Sequence, residues 1–133
     1  MTAIAHALAK ALLVNLMPTA ARTATGQGSA VNLLDYEGTV ALVLDSAAGT
    51  GTTPTNTITL EESDDGSTGW TAVPAAAFME GSNFTALATT ASQQVRHLNV
   101  SDRKQFLREV HTITGTTPSY TYSVNLLGQK KYS

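Results

Sequence analysis

The chain has 133 residues, enough for one domain with a two-layer hydrophobic core, and it contains no cysteine. The missing cysteines exclude disulfide frameworks, thiolate metal sites and cysteine nucleophiles. Charged residues make up only 14% of the sequence and the net charge is -2, which argues against a general nucleic-acid-binding protein. The abundance of threonine, serine, glycine and alanine favours a β-rich protein over a helical bundle.

The first predicted element is a short helix within TAIAHALAKALLVNLM, residues 2–17. Apolar side chains recur in it every four residues, and Pro18 ends the run. We expect an apolar arm that binds another protein surface through five side chains: Ile4, Leu8, Leu12, Leu13 and Leu16. The alternatives are packing of the arm on its own domain and a secretory signal. The signal would be a poor one, because no basic residue precedes Lys10 and Asn15 interrupts the apolar run.

A flexible connector follows in RTATGQGSA, residues 22–30, which has two glycines and no apolar periodicity. The sequence therefore predicts an N-terminal arm and linker over residues 1–30 and a β-domain over residues 31–133. The strongest strand of that domain is EGTVALVLD, residues 37–45, which has apolar side chains on both faces and is typical of a central, covered strand. Glycines and a proline in residues 46–55 predict a loop.

The clearest local pattern is strand, acidic turn and strand in NTITLEESDDGSTGWTAVP, residues 56–74. Ile58 and Leu60 alternate with polar residues, and the serine, aspartate and glycine residues that follow favour a turn. Trp70 is the single tryptophan of the protein. We expect it to cap one end of the core, with ligand stacking as the alternative.

Four carboxylates lie close together in this stretch, at Glu61, Glu62, Asp64 and Asp65, which raises the question of calcium binding. Alternation along the strand puts Glu61 and Glu62 on opposite sides, and the spacing of an EF-hand loop is absent. A solvated turn without a metal is therefore the expectation. If the turn contacts a partner at the surface, the candidate residues are Glu62, Asp64, Asp65 and Trp70.

Three more strands are predicted in the C-terminal part, over residues 93–100, 105–114 and 119–127, with a hairpin turn at residues 115–118. Short strands at regular spacing, with no helix between them, predict an all-β fold: an antiparallel β-sandwich, jelly-roll-like, with an N-terminal arm that is helical in part. Residues 75–91 are interrupted by small polar residues and predict short strands and loop.

No catalytic or cofactor motif appears in the sequence, so we expect a protein that is not an enzyme and needs no cofactor. The histidines are His6, His97 and His111, and none has a second ligand at metal-binding spacing. His97 and His111 could be neighbours on paired strands. We expect polar strand positions rather than a metal or acid–base pair.

Charge is distributed unevenly along the chain, because all residues between Arg22 and Arg96 that carry a full charge are acidic, whereas bases predominate from Arg96 onward. Two interpretations are open. Ordinary solvated strand edges would explain the pattern, and so would head-to-tail self-association between complementary surfaces.

Three stretches together resemble small virion proteins of tailed bacteriophages: VNLLDYEGTVALVLD, ITLEESDDGSTGWTAV and QFLREVHTITG, within Gln27 to Gly128. Glu109 and His111 depart from the pattern, because they stand where apolar residues are expected. The resemblance implies a β-sandwich present in many copies on a capsid, or else in the connector or tail.

From this resemblance we expect a capsid decoration, or cement, protein that binds the major capsid protein and self-associates in the assembled particle. It would act at the capsid surface after assembly in the bacterial host cytoplasm, with no direct nucleic-acid or membrane contact. The alternatives are a head–tail connector or tail subunit and a glycan-binding module.

Overall fold

The computed structural model describes residues 11–131, which fold into two antiparallel sheets packed face to face. The eight strands are β1 (Ala11–Arg22), β2 (Gly26–Gln27), β3 (Val31–Asn32), β4 (Tyr36–Ser46), β5 (Thr50–Ser63), β6 (Thr71–Ala72), β7 (Ser92–Asn99) and β8 (Phe106–Lys130). Three single-turn 3-10 helices connect them: Leu33–Asp35, Ala75–Ala77 and Val100–Asp102. The predicted all-β sandwich is confirmed.

Strand β8 belongs to both sheets. Its C-terminal half pairs with β1 on one side and with β4 on the other, and β4 pairs with β7, which gives sheet A the order β1-β8-β4-β7. Its N-terminal half pairs with β5 and with the short strands β2 and β3, and β5 pairs with β6, which gives sheet B. One long strand therefore fixes the position of the two sheets relative to each other.

The predicted hairpin at residues 115–118 is wrong, because the chain bends there and continues as β8. The bend requires a positive φ of 121° at Gly115 and of 47° at Thr117. A side chain at position 115 would also meet the backbone of Pro54, since a Cβ there would lie 2.9 Å from its Cα. Turn-forming residues thus mark a corner between two sheets, where the sequence pattern alone does not distinguish a corner from a hairpin.

The helix predicted over residues 2–17 is wrong for residues 11–17, which are part of β1; residues 2–10 lie outside the described residues. A spacing of four residues fits a helix and also fits a strand, in which every second side chain shares a face. Pairing with β8 supplies the backbone hydrogen bonds that decide between them. Residues 11–27 of the predicted arm and linker therefore contribute β1 and β2 to the sandwich.

The core lies between the sheets and is formed by alternate side chains of β4, β5 and β8. Val40, Leu42 and Leu44 of β4 are fully buried, as the alternation of this strand predicts. Ala41 and Val43 on its other face are only half-buried, so the prediction that both faces are covered is wrong for this face. Strand β5 begins at Thr50, inside the predicted loop of residues 46–55. The strand, turn and strand predicted for residues 56–74 are present as β5, the acidic turn and β6. Within residues 11–131, no helix has the length and hydropathy to cross a membrane.

Candidate functional site

The acidic turn between β5 and β6 is held by its own side chains. The carboxylate of Asp65 accepts hydrogen bonds from the backbone N–H groups of Ser67 (2.9 Å) and Thr68 (2.8 Å) and from the Thr68 hydroxyl (2.7 Å). The hydroxyl of the buried Ser63 accepts a further bond from Gly66 N–H at 3.1 Å. Hydrogen bonds from Thr68 and Ser67 hold the pKa of Asp65 well below its usual range. The carboxylate of Asp65 therefore stabilises the turn, and its oxygens already accept hydrogen bonds within the chain.

The two glutamates before the turn point to opposite sides of sheet B. Glu62 is buried, and its carboxylate contacts Arg103 (3.0 Å) and accepts the backbone N–H of Lys104 (3.0 Å). Glu61 faces outward, where Arg108 donates to it through Nε (2.9 Å) and Nη2 (2.7 Å). Glu62 is therefore not available as a surface contact, and of the predicted acidic contacts only Asp64 and Asp65 are exposed.

These carboxylates do not converge on a common point. Among the described residues, 11–131, there is no group of three or more histidine or acidic side chains that could hold a metal ion.

The ion pairs of sheet B join acids of the first half of the sequence to bases of the second half, Glu61 to Arg108 and Glu62 to Arg103. Part of the uneven charge distribution is thus neutralised within one molecule.

Trp70 lies against the outer side of sheet B and is only partly buried, so it does not cap the core as expected. The guanidinium of Arg108 is stacked over its ring, 4.1 Å from the ring centroid. Arg108 itself is fixed by Glu61, which makes a Trp–Arg–Glu stack. A sugar that stacked on Trp70 would have to use the ring face that Arg108 leaves open.

The predicted arm residues separate into three environments. Leu16 is completely buried in the core, so it is not free to bind a partner, and Leu12 packs against the core while remaining partly exposed. Leu13 points outward with 62% of its surface exposed. Ile4 and Leu8 lie outside the described residues.

The outer face of sheet A carries a group of neighbouring apolar side chains, which we call the sheet A face, beside polar positions such as Asn125 and His97. Its members are adjacent across the strands: Leu13 opposes Leu127, Leu127 opposes Ala41, and Val43 opposes Val95. Three of them are strongly exposed, namely Leu13, Leu127 (44%) and Val95 (43%). The sequence showed apolar residues on both sides of β4, but only the strand pairing brings them together with Leu13, Leu127 and Val95.

A buried polar cluster lies between the sheets. Glu109, His111 and Tyr122 are almost completely inaccessible to solvent; the Glu109 carboxylate accepts a hydrogen bond from the Tyr122 hydroxyl at 2.5 Å and lies 2.9 Å from His111 Nδ1. Burial, together with the hydrogen bond to Glu109, raises the pKa of Tyr122 above its ordinary value. Alternation along residues 105–114 puts Glu109 and His111 on the same strand face as the apolar Leu107 and Ile113, and this is a sequence signal for their burial.

The histidines do not form a pair. His97 lies on the outer side of sheet A, and its Nδ1 is 2.6 Å from the carboxylate of Glu80, whereas His111 faces the interior from sheet B. His6 lies outside the described residues.

Comparison with protein-family models and with the sequences of curated proteins finds no match. Among solved structures, the chain is similar to the SPBc2 prophage-derived protein YomS, with 12% identity, a TM-score of 0.44 and coverage of 86% of this chain and 92% of that one. The CBM22-1 xylan-binding domain of Paenibacillus barcinonensis Xyn10C has 12% identity and a TM-score of 0.45, over 92% of this chain and 87% of that one.

A third similar structure is that of infectious bursal disease virus, strain Gx, with 12% identity and a TM-score of 0.46 over 92% of this chain and 34% of that one. The similar structures thus include a prophage protein, a virus structure and a carbohydrate-binding module. Identities and TM-scores this low decide nothing about function.

Proposed function

We propose that this chain is a structural virion protein of a tailed bacteriophage that decorates the capsid, and that it binds the major capsid protein through the sheet A face. It acts at the capsid surface, without catalysis and without a cofactor. The lineage is supported by the sequence resemblance over Gln27 to Gly128. The mode of binding is supported by the exposed apolar area on sheet A.

The proposal depends on the sheet A face because several of its exposed side chains are apolar. An antiparallel sheet with one solvated face normally alternates apolar residues inward with polar residues outward. Here Leu13, Leu127 and Val95 point outward and are adjacent across strands to Ala41 and Val43. Exposed apolar side chains grouped on one face are a feature of surfaces that bind another protein.

The outer side of sheet B provides the contrast. Threonines occupy paired positions there, such as Thr57 opposite Thr112, and Glu61 forms its ion pair with Arg108. The outer side of sheet B is therefore polar at these positions. This difference in polarity supports an orientation, within the proposal, in which sheet A faces the shell and sheet B faces solvent.

A structural role is also supported by the use of the ionisable side chains. The carboxylates of Glu61, Glu62, Asp65, Glu80 and Glu109 each have hydrogen-bond partners within the chain. Acid–base catalysis needs a group that can exchange a proton with a substrate. These carboxylates instead accept hydrogen bonds that stabilise turns and strands.

The test is co-sedimentation of the purified protein with empty, expanded capsids of its own phage, with the bound copies per shell counted by densitometry. We expect saturable binding at a stoichiometry set by the icosahedral lattice. Val95→Lys, which puts a charge at the β7 side of the sheet A face, should weaken binding strongly because the charge would be buried in the contact. Thr112→Lys on the outer side of sheet B is the matched control and should bind like the wild type.

Two results would overturn this assignment. Val95→Lys that binds as well as the wild type would remove the sheet A face from the contact. Absence of shell binding, together with closed rings of the isolated protein in electron micrographs, would instead identify a head–tail connector or tail subunit, because such proteins close interfaces between copies into rings.

A further inference from the structure

Strand β1 is the edge of sheet A, and its two halves are protected very differently. In the second half, Pro18 has no N–H to offer to another strand, and the Arg22 guanidinium donates to the carbonyl oxygens of Pro18 (2.9 Å) and Ala20 (3.0 Å). The chain near Gly28 also packs tightly against Leu16, since a Cβ at Gly28 would lie 2.3 Å from its carbonyl oxygen. These features prevent another strand from pairing along this half.

The first half, Ala11–Asn15, has none of these protections. It pairs with Asn125–Gln129 of β8 in unbroken register, and the register shifts of β1 begin only after Asn15. Its sequence, ALLVN, contains no charge and no proline. In an antiparallel ladder alternate residues direct their N–H and C=O groups away from the paired strand, so this half offers unpaired backbone groups on its outer side. Among residues 11–131, no strand pairs with that side.

A shallow groove of about 350 Å³ runs beside this open half. It lies where the edge of sheet A faces the segment leading into β3, and its walls are mainly apolar: Leu12, Leu13, Val14, Val31 and Tyr36 contribute to them. Leu12, Val14 and Val31 are each only partly buried against the core. An apolar strand added next to β1 would complete their burial.

We propose that the occupant is a second copy of this chain, paired antiparallel with the first along Ala11–Asn15 about a two-fold axis at Leu13. The segment complements itself. In this register Leu13 opposes its own counterpart on the outer side, and Leu12 opposes Val14 on the inner side. No charge in the segment would be brought against a like charge. Leu127, the neighbour of Leu13 in the first copy, extends the apolar row on both sides of the axis.

The other sheet edges in the described part of the chain are less suited than β1 to pairing with a second copy, so β1 of one copy would pair with β1 of the other. The outer edge of β7 is covered by its own chain, because Phe78 bridges Leu98 and Met79 N–H donates to His97 O at 3.0 Å. Strands β2, β3 and β6 have two residues each, too few for a stable ladder.

The outer edge of β5 is interrupted by Pro54 and two register shifts in its first part, and its second part is hydrogen-bonded to its own chain, because Asn56 and Leu87 exchange two backbone hydrogen bonds and Val73 N–H donates to Leu60 O. Among the sheet edges in residues 11–131, the first half of β1 has no such protection. A contact of one edge with itself closes as a dimer and does not propagate into a fibre.

This dimer goes beyond the proposed capsid role and does not depend on it. Pairing along β1 would leave Val95 at the far side of sheet A unchanged, and it would join two sheet A faces into one wider surface. Shell binding without a dimer, or a dimer without shell binding, would each refute one proposal and leave the other intact.

The test uses the absence of cysteine in the sequence. Opposed residues of an antiparallel pair have Cα atoms about 4.5–5.5 Å apart, within the range that a disulfide spans. Leu13→Cys should therefore form a covalent dimer on mild oxidation, at least about tenfold faster than a cysteine that meets its counterpart only by collision. Met79→Cys is the matched control, because Met79 is 63% exposed and lies away from the β1 edge.

Sedimentation velocity of the unmodified full chain provides the second measurement, and it decides the question even if a variant fails to fold. We expect the mass of a dimer for the wild type and of a monomer for Leu13→Lys, with circular dichroism showing that the variant keeps its sheets. A monomeric wild type with equal oxidation rates at positions 13 and 79 would overturn the inference. A wild type that is monomeric alone, and whose Leu13→Lys variant no longer binds the capsid, would overturn it in favour of a strand from the shell.

Discussion

Two glutamates on neighbouring strands of sheet B show that burial determines how much similar polar contacts contribute to stability. Glu61 faces outward and is held by two nitrogens of Arg108, whereas Glu109 faces inward and contacts Tyr122 and His111. Each carboxylate has two polar contacts of ordinary length. The two carboxylates differ in their access to water. Water screens and competes with the contacts of Glu61, whereas it does not reach those of Glu109.

The sharpest test of this comparison is Glu109→Ala. Removing the carboxylate leaves His111 and the Tyr122 hydroxyl buried without their partner and opens a cavity between the sheets. We expect the free energy of unfolding to fall by about 3–5 kcal/mol. Urea denaturation followed by far-ultraviolet circular dichroism measures it, and the urea m-value should stay unchanged.

Glu61→Ala is the matched control, because the same side chain is removed from the opposite side of the sheet. The free energy of unfolding should fall by no more than about 1 kcal/mol. Equal losses for the two variants would mean that burial does not distinguish the two glutamates.

A smaller effect is expected at the Trp–Arg–Glu stack. Arg108→Ala removes the guanidinium that lies 4.1 Å from the Trp70 ring centroid and should lower the free energy of unfolding by about 1 kcal/mol. Trp70 is the single tryptophan, so its fluorescence reports the change directly. The emission should shift to longer wavelength as water reaches the uncovered ring face.

Arg103→Ala serves as a comparison, since Arg103 pairs with Glu62 and not with Trp70. Its removal should leave the Trp70 emission unchanged. A spectrum of Arg108→Ala identical to that of the wild type would show that the stack does not persist in solution.

The smallest expected effect is a pH dependence at the exposed Glu80–His97 pair. Hydrogen bonds from the His97 side chain and backbone lower the pKa of Glu80 from 4.5 to about 2. A carboxyl group whose pKa is lower in the folded state stabilises the protein above its unfolded pKa, and that contribution disappears as the pH falls through the folded pKa. The stability difference between wild type and Glu80→Gln should therefore shrink as the pH falls from 4.5 to about 2.

Chemical denaturation of both proteins across this pH range measures the difference. Asp64→Asn, at an exposed position of the acidic turn, controls for the general loss of a negative charge. If Glu80→Gln differs from the wild type by the same amount at every pH, the hydrogen bonds to His97 do not perturb Glu80.

Local alternation predicted most of the strands and much of what they bury. Val40, Leu42, Leu44, Ile58 and Leu60 were assigned to strand faces from the sequence and are all in the core. The acidic turn was predicted from its serine, aspartate and glycine residues, whose side chains do hold it. These features depend on contacts between residues close in sequence, which a local pattern encodes.

The errors occurred where a local pattern fits two structures. The four-residue spacing of leucines in the N-terminal segment suits a helix as well as a strand, and only the pairing of β1 with β8 decides between them. The glycine, threonine and proline residues at 115–118 suit a hairpin as well as the corner that β8 makes there. In both cases the deciding partner lies far away in the sequence.

The candidate binding surface shows the same limit. Leu13, Val43, Val95 and Leu127 were visible in the sequence as single apolar residues, but they come from four strands. Their adjacency depends on the order of strands in sheet A. Conversely, Glu62 was a candidate surface contact from its place beside the acidic turn, and the structure pairs it with Arg103 from the other half of the chain.

The sequence by itself determined that the chain is an all-β protein, which positions of most strands face inward, and that no disulfide is involved. Alternation, turn chemistry and composition are properties of short segments, so they can be recognised before folding is considered. Only the tertiary structure decided that β1 completes sheet A, that Glu109 and His111 are buried together with Tyr122, and that a group of apolar side chains remains exposed on sheet A. Each of these depends on strand pairing between residues distant in sequence, and the burial of a side chain depends on what such pairing places over it.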